Sequence, residues 1–555
     1  MNLGEIVFKI EIKIDEEHLQ TLTFAKPVRV KDILSQKEIA DHEIILIKLD
    51  KTYVNPDELI SKDSKLECVS VLSSEGYATY QNTSIFILCK AYHKIFSDEK
   101  KLVVEHSIGD GVFCEVIDNP FSSEDVKKLK SEMQSIINNA MPIEKITYSP
   151  NEAKKFAEEL KRDDFIKYIK HKDIDLYKCG NHYDYIIREL AHNTSMIKHF
   201  EIVYHSPGII LRFPHQGEKS IKKKFVLPKN LFAAHQEHDK WLNILDVHMV
   251  SALNRAVDDY KELDLIQMEE ALHEKKIVDI ANHISWKKDI KLILIAGPSS
   301  SGKTTFAKRL GIHLRVNGVY PHILGMDDYF LPRSLTPRKE NGEFDFESIK
   351  ALDLELLNEH LNKLLNGEEI ELPKYNFVTG KRDISHKVLK LAEQDVLVLE
   401  GIHGLNDALT SSVPFNQKMK IYVSALNNLN IDAHNRIPTT DSRKFRRLVR
   451  DYNFRGHSAE KTLTMWDSIR EGEDRNIFPF QENADFMFNS ILTYELCVLK
   501  KYVRPILRSI TDYSPQYQEA LRLSKLLSHV YNIEDSLVPS NSILREFVGG
   551  SIFNY

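Results

Sequence analysis

Four residues between Gly297 and Thr304 have the types and spacing needed to hold phosphate groups. The stretch GPSSSGKTT fits the pattern G-x-x-x-x-G-K-[ST]. In such a loop, successive backbone N–H groups point into one cavity, and the N-terminus of the next helix adds its positive end. The lysine reaches the β- and γ-phosphates, and the threonine hydroxyl ligates Mg²⁺. We therefore predict a site for ATP and Mg²⁺ that is formed by Gly297, Pro298, Ser299, Ser300, Ser301, Gly302, Lys303, Thr304 and Thr305.

Two further segments supply carboxylates that could ligate the metal ion and accept a proton. The stretch YPHILGMDDYF brings Asp327 and Asp328 to the end of one apolar segment, and VLVLEG brings Glu400 to the end of another. The carboxyl ends of parallel strands share one edge of a sheet, where ligands bind. We predict Thr304, Asp327 and Glu400 around Mg²⁺, with Asp327 as the base for an acceptor hydroxyl. The guanine-binding N-K-x-D and the D-x-x-G of GTPases do not occur in these segments.

A run of arginines follows in TTDSRKFRRLVRDYNFRGH. Arg443, Arg446, Arg447 and Arg450 recur at i, i+3, i+4 and i+7, so they share one face of a helix. We predict a lid that closes over ATP, in which Arg443, Arg446 and Arg447 act as catalytic groups beside Lys303 and stabilise the transferring phosphoryl group. The alternative is a solvated basic face that pairs with nearby acids, namely Asp441, Asp451 and Glu460.

The elements that must position these groups point to an α/β domain at residues 288–500. The apolar segment KLILIA precedes the phosphate loop, and TTFAKRLGIHLRVNG follows it as a helix that ends at Gly318. This order predicts a parallel sheet flanked by helices. Residues 231–287 carry apolar residues at three- and four-residue intervals and predict a helical connector, in which His273 has a structural role. Residues 501–555 predict a helical extension without chemistry of its own.

The first 72 residues contain short segments that alternate apolar and polar residues. These are EIVFKIEIKI, QTLTF, EIILIKLD and KLECVSVL, and a helical segment lies at VKDILSQKEI. Alternation predicts strands with one buried face, so we expect a small β-grasp domain at 1–72 and no signal peptide. The stretch LDKTYVNPDELISKDSKLECVSV resembles the end of a TGS domain, a small module of threonyl-tRNA synthetases and some GTPases.

Residues 75–230 predict an α+β unit with a Ser-capped helix at SSEDVKKLKSEMQSIINNA. This stretch resembles the second domain of threonyl-tRNA synthetases, which edits mischarged tRNA at a site built on His-x-x-x-His and a later Cys and His. Here the corresponding helix reads QNTSIFILCKAYHKIF, and the segment after Cys179 lacks the expected cysteine. We therefore expect a non-catalytic scaffold or regulatory module without metal or editing chemistry.

Length and composition restrict the remaining possibilities. A chain of 555 residues is too long for one hydrophobic core. The formal net charge of -6 is small for this length and argues against a general nucleic-acid or membrane binder. The five cysteines are scattered and never form C-x-x-C, which indicates reduced thiols in a cytoplasmic protein. No apolar run is long enough to span a membrane.

Six motifs occur together in the order and spacing of one enzyme family: GPSSSGKTT, MDDYF, GEFDFES, LPKYNF, LEGIH and DSRKFRRLVRD. They resemble the phosphoribulokinase and uridine kinase family of P-loop kinases over residues 290–480. The resemblance implies ATP-dependent phosphorylation of the 5'-hydroxyl of a nucleoside, with uridine or cytidine as the first candidates. It also implies that Asp345 holds the ribose hydroxyls and Tyr375 lines the nucleoside pocket, with Asp327 touching the acceptor.

Three positions depart from the family pattern. Short uridine kinases have Asp where this chain has Asn376, a base-reading His where it has Gly380, and a lid arginine where it has His457. The groups that would read a pyrimidine are therefore missing while the phosphate-binding groups are intact. This leaves open a kinase for another small hydroxyl acceptor, such as another nucleoside, a sugar phosphate or a pantothenate-like molecule.

A hypothesis of a different class is a nucleotide-switched regulator that binds tRNA through its N-terminal half. The dense basic run in that half is GEKSIKKKF, and such a run is usually a solvated loop. The chain also lacks the pI above 9 that is typical of nucleic-acid-binding domains. We therefore expect a nucleoside as the partner and neither a membrane nor nucleic acid, with homo-oligomerisation left open.

Overall fold

The computed structural model describes residues 7–554, apart from 15–17, 37–38, 40–41, 97–100, 117–119, 160–167, 169–172, 223, 340–341, 343 and 377–378. Within the segments quoted above, the residues outside the described part of the chain are Glu5, Ile6, Lys37, Glu38, Lys223, Glu343 and Phe377. Among the residues described, no helix combines the length and the apolar character needed to cross a membrane.

The N-terminal unit is a mixed sheet packed on a short helix. Its elements are β1 (Phe8–Lys13), β2 (Leu19–Phe24), β3 (Val28–Arg29), α1 (Val30–Leu34), β4 (Ile44–Leu49), β5 (Thr52–Tyr53), β6 (Leu59–Ile60) and β7 (Ser64–Ser70). The five-stranded sheet has the order β2-β1-β7-β4-β5, with β1 antiparallel to β2 and parallel to β7. Burial alternates along β1, because successive side chains of a strand point to opposite faces. Phe8, Ile10 and Ile12 share a core with Val30 and Ile33.

The second unit contains two antiparallel sheets. Its elements are α2 (Ser74–Phe96), β8 (Leu102–Ile108), β9 (Gly111–Val116), α3 (Ser123–Asn138), β10 (Glu144–Tyr148), α4 (Pro150–Glu159), β11 (Ile174–Cys179), β12 (His182–Asp184), β13 (Glu201–His205) and β14 (Gly208–Arg212). The sheet orders are β13-β14-β9-β8 and β10-β11-β12. Helix α3 begins as predicted after Ser122, which exchanges hydrogen bonds with Asp125 in a capping box.

Three helices connect this unit to the next sheet. They are α5 (Lys229–Leu245), α6 (Val250–Asp258) and α7 (Glu262–Trp286). The apolar stripe of α7, which includes Ile277 and Ile280, lies in the same core as Phe306 and Leu310 of the helix after the phosphate loop. The Nε2 atom of His273 lies 2.9 Å from the Ile491 carbonyl oxygen. Burial lowers the pKa of His273 well below its usual value, so the neutral ring donates this bond.

The predicted parallel sheet forms the centre of the C-terminal half. Its elements are β15 (Leu292–Ala296), α8 (Lys303–Val316), β16 (Tyr320–Gly325), α9 (Leu354–Leu365), β17 (Ile370–Asn376), β18 (Lys381–Leu389), β19 (Asp395–Glu400), β20 (Lys418–Ser424), α10 (Thr439–Arg455), α11 (Ala459–Thr464), α12 (Trp466–Asn476) and β21 (Phe486–Asn489). The order is β16-β19-β15-β20-β21, and every pair is parallel. Strand β15 is buried throughout, because helices cover both faces of such a sheet. The α/β class is therefore confirmed for this half.

The C-terminal residues belong to the same core as the parallel sheet. They form α13 (Glu495–Arg508), α14 (Tyr517–Ser528) and α15 (Arg545–Val548). Leu523 and Ile543 share a core with Ile293 of β15. The predicted boundary after residue 500 falls inside α13, so no break in packing separates the extension from the sheet.

A buried polar segment at residues 425–437, here called the junction loop, connects β20 to α10. Its asparagine side chains bind backbone groups of other units: Asn430 donates to the Val104 carbonyl at 2.9 Å, and Asn435 donates to the Tyr185 carbonyl at 2.7 Å. The Asn428 Oδ1 atom lies 2.6 Å from Nδ1 of His235 on α5. Buried amides need such partners, and here they join the parallel sheet to the second unit. No pattern in the sequence of residues 425–437 predicts these contacts.

Candidate active site

The phosphate loop lies between β15 and α8, with its path fixed by two glycines. A Cβ atom at Gly297 would lie 1.9 Å from the Val423 carbonyl oxygen, so no side chain fits there. Gly302 has a φ of +82°, in the left-handed region that glycine tolerates best. Helix α8 begins at Lys303. Its first N–H groups and positive end therefore face the cavity in which a phosphate would bind.

Lys303, Thr304 and Glu400 meet at the mouth of this loop. The Lys303 Nζ atom donates to the Pro298 carbonyl at 3.2 Å. Burial lowers the pKa of Lys303, and the neighbouring Glu400 opposes that shift. The Thr304 hydroxyl donates to Glu400 with oxygen distances of 3.1 and 3.2 Å. Glu400 ends β19, which places its carboxylate beside the phosphate loop.

Asp327 approaches the same point from the neighbouring strand. It follows β16, whose residues pair in parallel with those of β19. Burial raises the pKa of Asp327, while the charges of Lys303 and Arg455 oppose the shift. Burial likewise raises the pKa of Glu400, again opposed by Lys303. Thr304, Asp327 and Glu400 offer only oxygen atoms, the donors that Mg²⁺ prefers, so the donor set fits that ion.

The arginines of α10 divide into two groups, which differs from the predicted lid. Arg443 donates to the Ser299 carbonyl at 3.0 Å and pairs with the buried Glu473. Arg446 donates to Glu495 at 2.6 Å and to the Ser300 carbonyl at 3.4 Å. The N–H groups of a phosphate loop face its cavity and its carbonyl groups point away, so these two arginines hold the loop from outside. Both are buried, because α10 packs in the core instead of standing over the site.

The charges that reach the cavity come from later positions of α10. The Arg450 charge acts on Lys303 and the Arg455 charge acts on Asp327. Arg447 stays close to the loop, since it donates to the Ser299 hydroxyl at 2.6 Å. The predicted arginine repeat includes Arg450, without a role, and does not include Arg455. Both residues could have been identified as candidates, because they lie on the predicted helix.

The predicted ribose-binding residue Asp345 lies near these groups, with its Oδ2 atom 3.6 Å from Arg475 Nη1. Its Oδ1 atom is buried and has no hydrogen-bond partner among the described residues. His403, in the LEGIH motif, is near enough for Asp345 to influence its titration, although burial dominates and lowers the pKa of His403 to about 4. Burial raises the pKa of Glu347, which Asp327 and Asp345 both influence. Glu347 and His403 were not predicted as site residues.

Tyr375 belongs to a chain of aromatic rings at the same edge. Its ring centre lies 5.6 Å from that of Phe330, which lies 6.1 Å from that of Phe346. The Tyr375 N–H donates to Asp328 at 3.3 Å, so Asp328 fixes strand β17. Phe346 directly follows Asp345, so these rings offer an apolar surface near Asp345, as a planar base would require.

Two of the three positions that depart from the family pattern, Asn376 and Gly380, lie at the two ends of the connection between β17 and β18. Gly380 has a φ of +68°, and its N–H donates to the Asn376 carbonyl at 2.8 Å. A Cβ atom at Gly380 would lie 2.9 Å from atoms of the Arg333 side chain. The Asn376 amide donates to Asp383 at 2.9 Å. A side chain at residue 380 would therefore displace Arg333 and would be strained at this positive φ.

The C-terminal extension contributes a carboxylate to the phosphate loop. Glu546 on α15 accepts hydrogen bonds from the Thr305 hydroxyl at 2.7 Å and from the Thr305 N–H at 3.3 Å. A methyl group of Ile543 would lie 2.5 Å from a Cβ atom at Gly302. Backbone N–H groups at this position of a phosphate loop bind the α- and β-phosphates, so Glu546 occupies a place for an anion. No spacing rule links Glu546 to a motif far upstream, so the sequence predicts no role for this residue.

Comparisons with known proteins agree with this site. Residues 292–496 match the model of the phosphoribulokinase / uridine kinase family. A uridine kinase from Anoxybacillus flavithermus is 31% identical over 202 residues, which are 36% of this chain and 86% of that protein. One from a Geobacillus species is 32% identical over 197 residues, or 35% and 84% of the two chains. One from Ureaplasma parvum is 28% identical over 218 residues, or 39% and 96%.

The chain therefore belongs to the phosphoribulokinase / uridine kinase family through its C-terminal half. The predicted kinase activity and the use of ATP with Mg²⁺ are confirmed by this membership. The family model covers residues 292–496 and does not extend into the first 291 residues.

Proposed function

We propose that this member of the phosphoribulokinase / uridine kinase family transfers the γ-phosphoryl group of ATP to the 5'-hydroxyl of a nucleoside, with uridine and cytidine as first candidates. The observation that carries the proposal is the meeting of Lys303, Thr304, Glu400 and Asp327 at the carboxyl edge of three neighbouring strands. The relatives named uridine kinase support the acceptor class. The unpaired Asp345 oxygen supports a hydroxyl-bearing ligand.

Each residue has a role that follows from its position. Asp327 takes the proton of the acceptor hydroxyl, and burial has already raised the pKa of Asp327 toward the range of an effective base. Lys303 and the Arg450 charge stabilise the negative charge of the transferring group. Thr304 and Glu400 would hold Mg²⁺ together with Asp327. When bound, that ion offsets phosphate charge and orients the phosphate oxygens.

Acceptor-dependent ADP release from Mg·ATP tests the proposal. We expect one nucleoside of a panel to stimulate turnover, whereas sugar-phosphate and pantothenate controls do not. Lys303→Ala should reduce kcat by about 10²- to 10³-fold, the usual effect of removing one preorganised charged donor. Asp327→Asn should reduce it at least as much, while Asp289→Asn at an exposed position before β15 serves as the matched control. Retention of full turnover in Asp327→Asn would contradict the assigned base.

The turn at Gly380 favours a second candidate, a kinase for another small hydroxyl acceptor. In this chain Arg333 lies where a base-reading side chain would need space, and Asn376 is engaged with Asp383. Stimulation by a purine nucleoside, a sugar phosphate or a pantothenate-like molecule, without stimulation by pyrimidines, would favour this candidate. The same Lys303 and Asp327 variants should abolish that activity.

We also propose that the chain comprises a TGS-like domain at 1–72, a threonyl-tRNA-synthetase-like scaffold at 75–230, a connector at 231–287, the kinase domain at 288–500 and an extension at 501–555, and that it acts in the cytoplasm. The five-stranded mixed sheet with a helix supports the first assignment. Filter binding of the full chain to bulk tRNA tests the scaffold role. Tight, salt-sensitive binding would instead favour a tRNA-binding regulator.

A further inference from the structure

Three chemically different side chains meet in the core between the second unit and the kinase domain. Cys89, Asp184 and His434 each place one potential ligand atom within 4.8 Å of the other two, and all three residues are buried. The His434 Nδ1 atom lies 2.6 Å from Asp184 Oδ2. This cluster lies outside the phosphate site, and the kinase reaction does not use it.

Three distant segments build the cluster. Cys89 lies on α2, Asp184 ends β12, and His434 lies in the junction loop. Two of the segments are tied to each other, since Asn435 beside His434 donates to the Tyr185 carbonyl next to Asp184. The positions of the three side chains are therefore set by the fold around them and not by one flexible loop.

Two more imidazoles surround the cluster. His93 follows Cys89 by one helical turn, so both lie on the same face of α2. Its ring centre lies 6.0 Å from that of His434 and 5.4 Å from that of His182. Two imidazoles bound to one zinc ion at its usual Zn–N distance have ring centres roughly 5 Å apart. The spacing of these rings is thus close to that of a shared metal ion.

We propose that Cys89, His93, Asp184 and His434 bind one zinc-class divalent ion that joins the second unit to the kinase domain. A thiolate, two imidazoles and a carboxylate are a normal tetrahedral ligand set for zinc. Ligand atoms of such a site lie about 3.3 to 3.7 Å apart, so small rotations bring the three clustered side chains around an ion, and the His93 ring has to turn further to reach it. An ion pair between His434 and Asp184 alone would need neither the thiol nor the further imidazole.

This proposal differs from the expectation that the second unit lacks metal chemistry. That expectation rested on the missing His-x-x-x-His pair, but α2 carries Cys89-x-x-x-His93 at the same spacing. The remaining ligands come from β12 and from the kinase half, where no motif search would look. A bound ion would also connect the second unit to α10, which begins five residues after His434 and carries the arginines of the site.

Cobalt substitution in the full chain tests the proposal without relying on kinase activity. Chelator-treated protein should bind one Co²⁺ or Zn²⁺ per chain, and the Co²⁺ form should show thiolate-to-metal charge-transfer absorption. Cys89→Ser should lose that absorption, whereas the matched buried control Cys114→Ser should keep it. Zn²⁺ should raise the thermal midpoint of the parent chain and have a much smaller effect on His434→Gln.

Two results would overturn the proposal independently of how the variants fold. One is a parent chain that binds less than one ion per chain at micromolar metal. The other is a bound Co²⁺ ion whose spectrum lacks thiolate absorption. Survival of the absorption in a folded Cys89→Ser protein would do the same. A loss of metal binding in His182→Ala but not in His93→Ala would overturn the assignment of His93 as the fourth ligand.

Discussion

The phosphate loop and the junction loop both lie beside the central sheet, but they are built in different ways. Residues 297–305 carry their binding groups in one short stretch between β15 and α8. The junction loop at 425–437 is completed by partners far away in the chain, including Val104, Tyr185 and His235. One site is encoded by local spacing and the other by tertiary packing.

This difference explains which parts of the molecule a sequence reveals. A phosphate loop needs particular backbone angles at glycine and N–H groups at a helix start, and few sequences satisfy both. A buried asparagine needs only some donor or acceptor within reach, and many residues on many segments can supply one. A local pattern therefore identifies the first site and gives no indication of the second.

Arg446 does not fit this division between a locally encoded site and a site built by tertiary packing. It belongs to a local motif, but its contacts lie far away in the sequence. It is fully buried against Glu495. Arg446→Met leaves that carboxylate buried without its partner, which costs about 3–5 kcal/mol. We expect a large fall in the thermal midpoint of the full chain. Arg446→Met combined with Glu495→Leu removes both charges and should recover much of the loss. Similar midpoints for the single and double variants would contradict a buried pair.

Much of the kinase half could be predicted from sequence, and the failures have physical reasons. Helix α10 and its arginine repeat were predicted, but periodicity only says which residues share a face. Whether that face meets solvent, the outside of the loop or the cavity depends on Glu473, Glu495 and Ser490, which lie on other elements. The strand order, the junction loop and the approach of Glu546 likewise depend on packing between distant segments.

His235, which bonds Asn428 of the junction loop, and His238, one turn later on α5, should make this region acid-sensitive. Burial lowers the pKa of His235 to about 4 and that of His238 to about 3. The unfolded chain therefore binds protons first as pH falls, so the stabilisation is complete above a pH of about 6.5 and decreases toward pH 4. At pH 5 each histidine should cost about 2 kcal/mol. Thermal midpoints between pH 7.5 and 5 measure this effect.

A matched pair of variants assigns the acid sensitivity. Neither ring nitrogen of His238 makes a hydrogen bond of normal geometry among the described residues, although Asn428 lies nearby. His238→Leu should therefore fold and flatten the pH dependence. The exposed His386 offers the control, and His386→Gln should leave the slope unchanged. An unaltered slope in His238→Leu would place the acid sensitivity elsewhere.

Arg450 lies on the same helix as Arg446 but acts at the cavity, so it tests whether the arginines of α10 form two groups. Its charge faces Lys303 and its guanidinium pairs with Asp451 at 3.1 Å. Because that pairing already offsets part of its charge, Arg450→Met should lower kcat by about tenfold, less than a direct phosphate donor. The thermal midpoint should change much less than in Arg446→Met. Equal losses of stability in the two variants would show that the arginines of α10 do not divide into two groups.

Glu546 is the distant residue that enters the locally encoded site. Its carboxylate accepts two hydrogen bonds from Thr305, and ATP has to displace that carboxylate to place a phosphate there. Glu546→Gln removes the negative charge and should lower the KM for ATP by a few fold, on the order of 1 kcal/mol. The control is Glu534→Gln, because Glu534 lies in the same extension but is exposed. A KM that rises in Glu546→Gln would mean that Glu546 shapes the loop for ATP, and the phosphate site would then depend on distant packing as much as the junction does.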